Sequence, residues 1–66
     1  MAYHFKKGEK VLITDKHNVY CGDYGFVQSF TEFGKRFVFT VGVYTEDGMV
    51  CFPVMDYKLS KVEDTF

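Results

Sequence analysis

No stretch of ten or more residues in this chain repeats its apolar positions at the three-to-four spacing of an amphipathic helix; what repeats is alternation. In residues 9–14, Val11 and Ile13 fall on one face of a half-buried strand. Residues 24–31 (YGFVQSFT) read as a second strand. The third, 36–44 (RFVFTVGVY), is the strongest, with Phe37, Phe39, Val41 and Val43 on one face as core. A fourth is expected over 49–54, with Pro53 near its end, where a missing donor is tolerated. A fifth is expected over 59–63.

Glycine supplies the punctuation. Between the first two strands, residues 15–23 are polar and irregular and read as a long exposed loop. Residues 32–35, containing Gly34, form a turn, and 45–48 form a hairpin turn in which Gly48 takes positive φ at little cost. Residues 55–58 read as one short 3-10 turn before the last strand. The ends, 1–7 and 64–66, are expected to be loosely ordered. The fold class is therefore all-β: five short strands that close into a small barrel, which removes edges prone to aggregation.

A chain of 66 residues hides only about 60% of the surface its unfolded form exposes, so residues 1–66 are read as a single domain with shallow pockets at most. Its eight Lys and Arg stand against nine Asp and Glu, so no overall field draws it to phosphate backbones or anionic membranes. No apolar run approaches the roughly 20 residues needed to span a bilayer. Cys21 and Cys51 stand far apart with no second pair, and no charged segment followed by an apolar run opens the chain, so a reducing, cytoplasmic setting is expected.

The order of elements resembles the SH3-like barrel. Its first half is similar to a KOW motif, whose pattern is a glycine and an acid before an alternating strand, two glycines three apart, then a valine. Those positions are Gly8-Glu9, Val11 and Ile13, Gly22 and Gly25, and Val27. The loop before the glycines is longer than in that motif, and His17, Asn18, Val19 and Tyr20 occupy positions where basic residues often stand. The closing turn, Val54-Met55-Asp56-Tyr57-Lys58-Leu59, is similar to that of the photosystem I reaction-centre subunit IV family. The resemblance implies docking onto a protein or an RNA and carries over no catalytic residue.

Catalysis is set aside because a nucleophile needs a base and an orienting group in a sheltered site, and His17 with Cys21 in a loop provides none of that shelter. His4, His17, Cys21, Asp23 and Cys51 are metal-ligand types, but they lack the close pairs of a structural zinc site. No metal or other cofactor is expected. Cys51, between Val50 and Phe52, reads as a small core residue, and Cys21 as a partly exposed free thiol.

The informative surplus is aromatic: eight Phe and five Tyr. Tyr20 and Tyr24 bracket the first loop, Phe33 sits on a hairpin tip, Tyr44 ends the central strand and Tyr57 lies in the 3-10 turn. Convergence of these elements at one rim would make a contact surface for a partner, since Tyr offers large area at low entropic cost. Lys35 and Arg36 add charge beside it. The leading expectation is a protein-interaction module that docks on a larger protein or complex. Its size suits a bacterial or phage accessory protein, including one that inhibits the complex it joins. The alternative is a KOW-like nucleic-acid binder at a ribosome or RNA polymerase, with phosphates on Lys35 and Arg36 and bases stacked on the rings. Self-association as a homodimer is a further expectation, because it would hide surplus rings.

Overall fold

A computed structural model of the chain describes residues 4–62. Five strands, β1 (Lys10–Ile13), β2 (Tyr24–Phe33), β3 (Arg36–Thr45), β4 (Gly48–Met55) and β5 (Leu59–Lys61), form one antiparallel sheet in the order β4-β3-β2-β1-β5. The 3-10 turn, Asp56–Lys58, is the one helical element among the described residues. It begins one residue later than expected because Met55 is still extended, at φ −66 and ψ 149. β2 runs two residues beyond its expected end, so the connection to β3 shrinks to Gly34-Lys35, with Gly34 at φ 64 as the first central residue. That is the conformation a two-residue hairpin asks of this position. Gly48 takes φ 116, and its turn is tightened by Thr45, whose hydroxyl donates to the Gly48 carbonyl at 2.8 Å and accepts from the Asp47 N–H at 3.2 Å.

Alternation selects the core. Val11, Ile13, Val27, Phe39, Val41, Val43, Val54 and Leu59 are buried together, with Phe37 half-buried at their margin. Gly25 allows the close approach of β2 to β3, since a Cβ there would lie 2.5 Å from a Val41 methyl. Between Val27 and Ser29 the β2–β3 register shifts by a bulge. The added residue returns Phe30 to the core side, opposite Phe39, where strict alternation from Val27 would have sent it to the other face.

Three expectations need correction. Phe5, placed by sequence in a loose end, is 1% exposed and packs edge-to-face on Phe39 at 5.2 Å. A turn closed by Glu9 N–H to Lys6 O (2.9 Å) and a bond from Gly8 N–H to Val27 O (2.7 Å) fold the segment back onto the core. Residues 1–3 and 64–66 of the expected loose ends, and Glu63 of the expected fifth strand, lie outside the described residues. Cys51 is exposed rather than in the core, because it stands opposite Gly42, on the other side of the sheet from its neighbours Val50 and Phe52. Cys21 is exposed, as read from the sequence. Finally, β4 and β5 are the two ends of the strand order, and among the described residues no ladder joins them; the three residues of β5 pair only with β1.

The 3-10 turn that links the two end strands is anchored to β3 and to the end of β1 instead. Asp56, 3% exposed, accepts the Phe37 N–H at 3.1 Å and faces Arg36 at 3.5 Å, while Thr14 N–H donates to Lys58 O at 3.0 Å. Glu9 ties β5 to the first turn through Lys61, at 3.3 Å. The backbone N–H of Lys6, at 2.9 Å, holds the Glu9 carboxyl below its usual range, and Lys61 adds to the effect.

Candidate functional site

The face of the sheet opposite the core carries the second aromatic set. Register places Lys10 beside Phe26, Phe26 beside Gly42 and Gly42 beside Cys51, with Leu12 beside Tyr24 and Tyr44 beside Met49. Because side chains alternate and Val11, Val27, Val41 and Val43 point inward, these residues share the outer surface. Phe26 and Tyr44 meet edge-on at 5.9 Å, and the Lys10 ammonium lies 4.7 Å from the centre of the Tyr24 ring. Gly42 makes the floor: a Cβ there would lie 2.7 Å from the Met49 sulfur, so only glycine lets Met49 lie across β3. Tyr24 is 53% exposed and Tyr44 72%. An aromatic patch therefore sits on hydrogen-bonded strands, where its geometry is fixed, rather than on loops.

The other residues singled out from the sequence lie elsewhere. Phe33, Lys35 and Arg36 occupy the tip of the β2–β3 hairpin, at the far end of strands whose opposite ends carry Tyr24 and Tyr44. At roughly 3.3 Å per residue the two places are about 30 Å apart along the strand. Arg36 is engaged there: its guanidinium lies 3.5 Å from buried Asp56 and 5.1 Å from the centre of the Tyr57 ring. Tyr20 packs flat on Phe52 at 5.3 Å and 6°, half-buried, as a lid on the core. The expected convergence of all these rings at one rim does not occur, because ten-residue strands carry Phe33 and Arg36 away from the loop that holds Tyr20.

Phe26, Leu12 and Met49 were missed as surface residues. Their signal was present in the sequence: they alternate with Val27, Val11 and Val50 and so face away from the core side. Among the described residues, no group of three His, Cys, Asp or Glu is placed to hold a metal ion, and no helix is long and apolar enough to cross a membrane. No protein-family model, no curated protein and no solved structure matches the chain.

Proposed function

We propose that the chain is a non-enzymatic docking module of the SH3-like kind, acting in the cytoplasm, that binds a larger protein through the outer face of its sheet. The observation that carries this reading is the cluster of exposed Tyr24, Tyr44 and Met49 around half-buried Phe26 and over Gly42, set on three paired strands. Rings held by paired backbone lose little freedom on binding, and Tyr and Phe are the residues that anchor interfaces. The SH3-like assignment is supported by the placement of β5 beside β1, the bulged β2 shared by both halves of the sheet and the 3-10 turn before the last strand.

A KOW-like single-strand nucleic-acid binder is the second reading, favoured by the Lys10 ammonium beside Tyr24, a charge and a ring on one face. The engagement of Arg36 by Asp56 weighs against it, because that cation already faces a carboxyl group at 3.5 Å. The test is capture of partners by the immobilised chain, with and without nuclease, in parallel with a Tyr24→Ala/Tyr44→Ala variant whose melting temperature matches the wild type. Docking requires a protein retained after nuclease and lost by the variant, with affinity reduced about 30-fold or more, as truncation of interface anchors does. Capture that ends with nuclease transfers the face to the second reading. Equal capture by wild type and variant removes the face from both.

A further inference from the structure

β4 is an end strand whose second edge is open. Its eight residues, GMVCFPVM, carry no charge, and it pairs with β3 alone. No other backbone hydrogen bond among the described residues reaches it. Natural edge strands are guarded by lysines, short length or cover, and β5 shows the first two, with three residues that include Lys61. β4 has only Pro53. Moreover, Gly48, Met49, Val50 and Cys51 are exposed in succession, although Val50 belongs to the core side of the strand. The first half of β4 is thus open on both faces as well as along its edge.

Pro53 fixes which main-chain groups that edge offers. Within a strand, proline is tolerated where its nitrogen faces away from the neighbouring strand. Successive residues of an antiparallel ladder send their groups to opposite edges, so Met49 and Cys51 share the parity of Pro53 and present N–H and C=O outward. An antiparallel match of this edge with itself, centred on Val50, sets Met49 opposite Cys51 of the second copy and Cys51 opposite its Met49. All four donors and acceptors of each such pairing are used, and Pro53 stays beyond the ladder. Centring on Cys51 instead would set Met49 against Pro53, which has no N–H to return. The register about Val50 keeps proline out of these pairings and is centred on the exposed run. In it the acids of the hairpin turn, Glu46 and Asp47, fall opposite Val54 and Pro53 of the second copy, so no like charges meet.

We infer that the protein forms a twofold dimer in which β4 pairs antiparallel with β4 of a second copy about Val50, joining two five-stranded sheets into one. This inference stands whether or not the outer face docks another protein. Sedimentation at about 0.1 mM, a concentration that populates dimers of moderate affinity, should give twice the 7.7 kDa chain mass. Cys51→Pro removes two of the four cross-copy bonds while leaving the β3 ladder intact, and should weaken association about 10-fold or more. As a second arm that needs no backbone change, a Cys21→Ser protein treated with a short bis-maleimide should give a covalent dimer through Cys51. The two Cys51 residues would lie diagonally across the new ladder at about 7–8 Å. A protein that sediments as a monomer at that concentration, a folded Cys51→Pro variant that dimerises as the wild type does, or no cross-linked product would each overturn the inference.

Discussion

Replacing Phe5 tests whether the segment before β1 belongs to the core. The ring is 1% exposed, meets Phe39 edge-on at 5.2 Å and has the Lys61 ammonium 5.2 Å from its centre. Phe→Ala at such a site costs about 3–5 kcal/mol from lost transfer energy plus the residual cavity. A domain of this length has a total stability of about 3–10 kcal/mol at typical values per residue, so Phe5→Ala should leave a large unfolded fraction even without denaturant. Phe5→Leu is the graded version. It keeps most of the volume but loses the ring contact, for about 1–1.5 kcal/mol. Urea unfolding followed by far-ultraviolet circular dichroism, at one fixed protein concentration, measures both. With a slope near 1 kcal/mol per molar for a protein this small, Phe5→Leu should lower the midpoint by about 1–1.5 M. If Phe5→Ala unfolds within about 0.5 M of the wild type, the segment contributes nothing to the core and the argument fails.

Two further predictions concern the carboxylates that anchor the 3-10 turn and β5. Asp56→Ala leaves the Phe37 N–H without its 3.1 Å acceptor and should cost about 1–3 kcal/mol, a drop of roughly 5–20 °C in melting temperature. Asp56→Asn keeps an acceptor and should lose less; equal melting of wild type and Ala variant would show the clip to be idle. The Glu9 carboxyl has its folded pKa lowered from the ordinary 4.5, first by the Lys6 N–H, so its stabilisation is present above that value and is lost as pH falls through the lowered one. Glu9→Gln should therefore melt lower than wild type at neutral pH, with the difference closing on acidification. A difference that stays constant from about pH 7 to about pH 3 would refute the assignment.

Much of the fold was legible because alternation is a strong local signal. Val11 and Ile13, the Phe39–Val41–Val43 row and the positive φ of Gly48 all follow from residue type and spacing. What escaped was set by contacts distant in sequence. Phe5 reads as part of a lysine-flanked end until Phe39 is known to lie against it. Nothing in Gln28-Ser29 announces the bulge, and strict alternation through that point assigns Phe30 to the wrong face. Cys51 looks apolar in company with Val50 and Phe52, yet the parity that buries Val54 turns Cys51 outward. The exposure of Tyr24 and Tyr44 was foreseeable from their places at strand ends. Their companionship with Phe26, and their separation from Phe33 and Tyr57, depends on strand length and register, which composition does not encode.

The pairing of β1 with β5 also determines how the molecule bears load. Val11 stands opposite Lys61, Leu12 opposite Ser60 and Ile13 opposite Leu59, so the chain enters the sheet and leaves it at the same end of this pair. Tension applied through the two ends opens the pair like a zip, one rung at a time from Val11 and Lys61, rather than shearing the rungs together. On the N-terminal side the load meets buried Phe5 and the Gly8–Val27 bond first, and the Glu9–Lys61 contact at 3.3 Å next. Once Phe5 is drawn from the core, the β1–β5 pair gives way rung by rung before the longer β2–β3–β4 ladders do.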